Sequence, residues 1–335
     1  MAVAMNKQRM QAALLPLLAL AVVLLGLASL AIGSTAMPVG QGLWQWLQGQ
    51  TSLAAIVIGE VRLPRTLLAL AAGACLGLAG AALQGLLRNP LADPSLTGAS
   101  QGAALGAAAV FYFGLFPALG LYASAVGGLA GALLALGVVL WLAGSGNPSR
   151  VILAGLAVST VAGAALAALL TLAPNPYALQ ELVFWLMGSV ADRGLDQMWV
   201  LLPALLCGGA LVWSQRRLLH ALSLGETVAA SLGFAVGRGS RWLVLGCGLL
   251  VGGSVAVAGG IGFVGLMVPH LLRGAVGHRA DRLLLPCALA GAGLVLLADM
   301  LVRLMPPGRQ LQLGVLTALV GAPLFVRLVF KERGR

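Results

Sequence analysis

The sequence predicts an all-α integral membrane protein, a bundle of about ten transmembrane helices, and three observations carry that expectation. The 335 residues are 60% hydrophobic and only 9% charged, with a mean hydropathy of +1.00. Soluble domains hold about 25% charged residues, so a chain this poor in charge needs lipid as its main solvent. The apolar residues also fall into runs close to the roughly 20 residues that a bilayer-spanning helix takes. Finally, the breaks between runs are marked by Pro, Gly and Arg. One membrane domain is expected over residues 1–335.

Lys7 and Arg9 precede an apolar run from Ala12 to about Ile32. It exceeds the roughly 7–15 residues of a secretory h-region, so it reads as an uncleaved first span with the N-terminus in the cytoplasm. Residues 34–60, with Trp44 and Trp46, read as an external loop with interfacial aromatics. Span two runs from Arg65 to Leu87 and stops at Arg88-Asn89-Pro90-Leu91-Ala92-Asp93-Pro94, where two prolines end the helix. Span three is placed at 95–115, up to Phe116-Pro117, and span four at 120–143. Gly144 to Pro148 makes a turn that Arg150 marks as cytoplasmic, and span five follows at 151–172.

After Ala173-Pro174-Asn175-Pro176, a semi-polar stretch to Gln197 contains Trp185-Leu186-Met187-Gly188-Ser189 and reads as a short external helix. Span six is 198–214. Residues 215–240 carry Arg216, Arg217, His220 and Arg238, with Arg241 directly after, and form the main cytoplasmic loop. Span seven is 242–258, and a glycine-rich link leads to span eight at 260–274. Arg273, His278, Arg279 and Arg282 lie in a cytoplasmic loop, and span nine is 284–302. Arg303 to Gln312, with Pro306-Pro307, is external. Span ten is 313–330, and Lys331, Arg333 and Arg335 close the chain in the cytoplasm. An even number of spans agrees with both termini inside.

The net charge of +11 does not point to nucleic acid, because Lys and Arg sit between spans. On this topology about 15 of them are cytoplasmic, as the positive-inside rule asks. Cys75, Cys207, Cys247 and Cys287 each fall in an apolar run without metal-type spacing and read as small core residues. The 47 glycines, with pairs such as Gly73/Gly77 and Gly102/Gly106, point to close helix packing. A weak repeat relates Gly85-Leu86-Leu87-Arg88-Asn89-Pro90 to Gly265-Leu266-Met267-Val268-Pro269, each after an Ala-Gly pair.

The lysines are Lys7 and Lys331, and neither lies in a phosphate-binding G-x-x-x-x-G-K-[ST] loop, so this chain does not hydrolyse ATP by such a loop. Of nine acidic residues, Asp299 sits in a span, four residues before Arg303, and reads as its helix-end partner. Ion coupling therefore has little to work with. No HExxH motif occurs, and His220, His270 and His278 do not form a catalytic set. In the large loop, residues 222–233 read as a short helix between glycines, capped by Ser223 with Glu226 three residues on. Leu224, Val228 and Leu232 share one face. That face either lies on the chain's own bundle or docks against an ATPase subunit.

Several motifs in order resemble the permeases for iron chelates, haem and vitamin B12 in type II ABC importers. They are Arg62-Leu63-Pro64-Arg65, Gly80, Gln84, the segment from Arg88 to Pro94, Gly98, Leu222-Ser223-Leu224-Gly225-Glu226, the segment from Gly262 to His270, and Gly321-Ala322-Pro323. The resemblance covers about 55–330. Gly259-Gly260 stands where the family often has Gly-Pro, and Gln310-Leu311-Gln312-Leu313-Gly314 replaces Glu-Leu-Pro-Val-Gly.

The resemblance implies a BtuC-like fold of ten spans in the bacterial inner membrane. It also implies a homodimer with the pore on its axis, two ATP-binding subunits and a periplasmic substrate-binding protein. Arg62, Arg65 and Arg303 match arginines that pair with acidic residues of the binding protein, although lipid-headgroup anchoring is the other reading. Asn89 and Leu91 match a cytoplasmic gate, or else Asn89 serves only the broken helix. Leu222, Ser223, Leu224, Gly225, Glu226, Val228, Ser231, Leu232 and Gly233 match the ATPase-coupling segment. The chain is expected to bind no cofactor or metal itself, and its partners use ATP. Alternating access is the expected mechanism. A ferric siderophore is the first substrate expected, then haem, then cobalamin, with an ion-coupled secondary transporter as the rival class.

Overall fold

The computed structural model describes residues 2–33, 37–144, 148–172, 176–276, 279–305 and 311–333. Ser145-Gly146-Asn147, Ala173-Pro174-Asn175, Gly277-His278, Pro306 to Gln310 and Arg335 lie outside the described residues. The described chain is helical throughout. In order the helices are α1 (Ala2–Ala31), α2 (Val39–Leu47), α3 (Leu53–Ile56), α4 (Leu63–Leu87), α5 (Ala99–Phe113), α6 (Ala123–Ala143), α7 (Pro148–Thr171) and α8 (Pro176–Leu186). There follow α9 (Met198–Ser214), α10 (Arg216–Leu222), α11 (Glu226–Ser231), α12 (Val236–Ala258), α13 (Val264–Arg273), α14 (Ala280–Arg303) and α15 (Leu313–Arg333).

Among the described residues, seven helices are long and apolar enough to cross a membrane. The sequence predicts ten. Spans three and eight correspond to shorter apolar helices, Ala99–Phe113 and Val264–Arg273, while span ten is α15, Leu313–Arg333, apolar over Leu313–Arg327. The shortening has local causes. Pro94–Thr97 forms a separate 3-10 turn, and Gly98 at φ 78 restarts the chain as α5. Gly259 at φ 69 ends α12, and Phe263 at φ 67 precedes α13.

A second correction concerns residues 34–60. The external loop expected there is largely helical, and Leu53–Leu87 is one long apolar element. A π-helical turn, Val57–Arg62, joins α3 to α4, and Ser52 caps α3 by accepting from Ala55 N at 3.2 Å. The suspected repeat also dissolves. Gly85 lies in the last turn of α4, whereas Gly265 lies in the first turn of α13.

The spans at α4 and α12 form the middle of the bundle, each 78% buried, against 11% for α1. α4 packs along α14, α12, α13 and α9, and α12 bridges to a second group made by α5, α6 and α7. The glycine pairs set these contacts. A Cβ at Gly73 or Gly77 would meet backbone at Gly291 or Cys287 of α14, and one at Gly102 or Gly106 would meet Gly131 or Gly127 of α6. Lipid offers no apolar driving force between helices, so close backbone approach and dispersion hold them together.

Candidate functional site

Charged and polar side chains gather at the two ends of α4, about 35 Å apart by helix rise. At its start, three elements converge. α14 carries Asp299 and Arg303 one turn apart, α4 carries Arg65, and the turn before α4 carries Arg62. Asp299 is 1% exposed. Arg65 Nε donates to both its carboxylate oxygens, at 2.9 and 3.1 Å, and Arg303 Nε donates to Oδ2 at 2.8 Å. A buried carboxylate without such partners would be very costly.

The same arginines serve the end of α1. Its last carbonyls have no partner within the helix. Arg303 Nη1 donates to Ser29 O at 3.0 Å, and Arg62 Nη1 donates to Leu30 O and Ala31 O at 2.9 and 3.0 Å. The hydroxyls of Ser29 and Thr66 share a hydrogen bond of 2.7 Å. The positive guanidiniums also suit the negative end of the helix dipole.

The expected pairing of Asp299 with Arg303 is present, and Arg65 is a second partner that sequence reading missed. The three arginines expected at the docking surface do come together. Arg62 is 4% exposed, and the Arg65 and Arg303 side chains are 19% and 6% exposed. Only Arg65 therefore presents appreciable surface in this state.

At the other end of α4, Arg88 caps the helix in the left-handed region, φ 50 and ψ 29. Asn89 Oδ1 accepts from Leu91 N at 2.9 Å, a side-chain-closed turn. Asp93 Oδ1 accepts from Ser95 N at 2.7 Å and caps the following 3-10 turn. Asn89 is exposed and Leu91 half-buried. Asn89 thus satisfies backbone at the turn where the helix breaks. Pro94, at the far end of this loop, abuts Gly265 of α13.

The coupling segment departs from its expected form. Residues 222–233 are not one capped helix. Leu222 ends α10, Ser223 Oγ donates back to His220 O at 2.6 Å, and Gly225 at φ 117 starts α11 without a side-chain cap. The Ser223/Glu226 capping box is therefore absent, because Gly225 intervenes in a conformation that L residues avoid. The bounding glycines are as expected, with Gly233 at φ 86 closing the far side. Ser231 Oγ donates to Val228 O at 2.9 Å. Leu222 and Ala229 are fully buried and anchor the segment, while Leu224, Val228 and Leu232 are 60%, 40% and 60% exposed. The apolar face points away from the chain's own bundle.

Two further contacts near this end were not foreseen. Gln84, 2% exposed, donates from Nε2 to Leu266 O at 3.2 Å and accepts at Oε1 from Arg273 Nη2 at 2.7 Å. It bridges α4 and α13 where Gly80 and Gly265 cross so closely that a Cβ at Gly80 would strike the Gly265 carbonyl. Asp281, at the start of α14, holds Arg279 Nη2 at 2.8 Å and lies 3.6 Å from His220 Nδ1. The hydrogen bond to Asp281 raises the Arg279 pKa above its ordinary value.

Among the described residues no group of three or more His, Cys, Asp or Glu side chains is placed to hold a metal ion. The described residues thus form a helical bundle with one charged end and one exposed apolar face at the short helix α11.

The sequence matches the model of the FecCD transport family over residues 20–331. The vitamin B12 import system permease BtuC of Klebsiella pneumoniae is 40% identical over 320 residues, 92% of this chain and 91% of its own length. The hemin transport permease HmuU of Yersinia pestis is 40% identical over 278 residues, 82% of this chain and 83% of its own. A solved structure described as an inward-facing conformation of a metal-chelate type ABC transporter superposes with a TM-score of 0.80, at 33% identity, covering 95% of this chain and 98% of its own. The chain belongs to the FecCD transport family. It is a non-catalytic, multi-pass permease subunit of a type II ABC importer for metal chelates, and such importers also contain ATP-binding subunits and a substrate-binding protein.

Proposed function

We propose that this chain lines the pathway by which an ATP-driven importer moves cobalamin across the inner membrane through alternating access, with haem as the second candidate. The observation that carries this reading is 40% identity to a vitamin B12 permease over 92% of the chain. The similarity to vitamin B12 and hemin permeases supports the cobalamin alternative better than the ferric siderophore expected from sequence alone. The seven long helices and the three shorter apolar ones support ten crossings, with both termini in the cytoplasm by the charge argument. Two copies, two ATP-binding subunits and one periplasmic binding protein complete the assembly. An open apolar groove of about 580 Å³, lined by Met187, Gly260, Gly314, Val315 and Pro323 among others, supports a pairing surface for the second copy.

In this reading the Asp299 end faces the periplasm. Docking of the binding protein falls first on Arg65, with Arg62 and Arg303 behind it in the closed Asp299 lattice. At the cytoplasmic end, Leu224, Val228 and Leu232 meet the ATP-binding subunit, and the Asn89–Leu91 turn forms the gate.

The test is uptake by the assembled importer in vesicles. ATP-dependent uptake of cyanocobalamin is expected to exceed that of haem and of a ferric siderophore. Siderophore uptake above both would overturn the substrate assignment, and uptake on an ion gradient without ATP would overturn the class. Leu224→Ala with Val228→Ala should weaken retention of the ATP-binding subunit by about tenfold or more, as loss of paired apolar anchors does. Arg65→Glu should weaken binding-protein docking more than Arg62→Glu does, measured on complexes that remain assembled.

A further inference from the structure

The loop from Arg88 to Pro94 touches a different element at each end. Pro94 rests on Gly265 of α13, and Arg88 Nη2 donates to Glu226 Oε1 of α11 at 3.5 Å. The two charged side chains are 47% and 41% exposed. Arg88 occupies a left-handed C-cap, a position that glycine fills at no steric cost. A charged side chain is thus held at a strained position, and its head group reaches the first turn of the helix that carries the exposed apolar face. Glu226 in turn sits directly after Gly225 at φ 117, and as the first residue of α11 its carboxylate suits the positive helix end.

From this geometry we infer that the Arg88–Glu226 pair is the transmission contact between α11 and the Asn89–Leu91 turn. Movement of α11 on its glycine bounds then pulls the C-cap of α4 with it, while Pro94 keeps the other end of the loop seated against α13. Both residues act as positioning residues and touch no substrate. The inference rests on the reading of α11 as the coupling helix.

Charge reversal tests it in the assembled importer. Arg88→Glu and Glu226→Arg should each lower transport by about fivefold or more, the lower bound of a typical coupling between sites. For Arg88→Glu, which lies outside the coupling segment, retention of the ATP-binding subunit and its ATP hydrolysis should stay near the unaltered level. The double reversal should restore at least half of transport. Single variants that transport within about twofold of the unaltered protein, or a double reversal no better than the singles, would overturn the contact.

A second measurement is independent of the reversal. Cys75, Cys247 and Cys287 are buried and Cys207 is exposed, so Arg88→Cys with Glu226→Cys is made in a Cys207→Ser background. Before tethering, this variant lacks the pair and should transport poorly; joining the two cysteines with a bifunctional methanethiosulfonate should raise transport, and reductant should reverse the gain. Transport that does not rise on tethering would also overturn the contact. The coupling reading itself fails separately, by full retention of the ATP-binding subunit after Leu224→Ala with Val228→Ala. Loss of that subunit together with a reversal that does not rescue removes only the Arg88–Glu226 inference.

Discussion

The two ends of α4 handle charge in opposite ways. At its start, one carboxylate at 1% exposure binds two guanidiniums, and two guanidiniums close the carbonyls of α1. At its finish, one arginine meets one glutamate at 3.5 Å in the open. The first arrangement has no slack, since loosening any member strands a buried charge or a helix end. The second is cheap to break and remake. A machine that must keep one end of a helix registered while the other end moves needs both kinds.

Altering each end and the crossing between them tests this contrast. Removing the keystone with Asp299→Ala should be the most damaging change. Breaking a buried ion pair by deleting one partner costs about 3–5 kcal/mol, which thermal unfolding of the purified subunit would register as a large loss of stability. An unchanged unfolding temperature would mean that the lattice holds nothing together. Filling the crossing with Gly80→Val comes next, because overpacking costs about 1–3 kcal/mol, and α4 and α13 must separate to admit it. The smallest stability effect belongs to Glu226→Gln. An exposed pair is worth about 1 kcal/mol or less, so unfolding should barely shift while transport falls. A stability loss as large as that of Asp299→Ala would erase the contrast.

Much of the fold was legible because apolar runs and Pro/Gly punctuation act locally. Span six, expected at 198–214, is α9 at Met198–Ser214. The failures have local causes too. Residues 34–60 are less apolar and read as loop, yet Leu53 to Arg62 runs on into α4, where Arg62 finds the end of α1. Ser223 and Glu226 match the capping-box spacing, but Gly225 takes the helix start instead. The site was legible as residue types and not as partnerships. Arg65 and Asp299 are 234 residues apart in sequence, and nothing in the spacing of either names the other. The same holds for Arg88 with Glu226 and for Gln84 with Arg273.

The break between α12 and α13 has one more consequence. α13 has 10 residues, about 15 Å of helix, half of a hydrocarbon core about 30 Å thick. On the ten-crossing reading, Gly259 to Phe263 supplies the rest of that crossing, and between its ends the backbone leaves the helical pattern. Neighbouring backbone covers it. Gly260 N donates to Leu186 O at 3.2 Å, Ser189 N donates to Ala258 O just before it at 2.8 Å, and the Gly260 carbonyl abuts Gly314 of α15. Backbone of this kind is tolerated at depth only where protein or water covers it. Long peripheral helices such as α1 answer a thicker or thinner bilayer by tilting. This segment is tied to α8 and α15 and not to lipid, so it keeps its depth, and the middle of the bundle is insulated from membrane thickness.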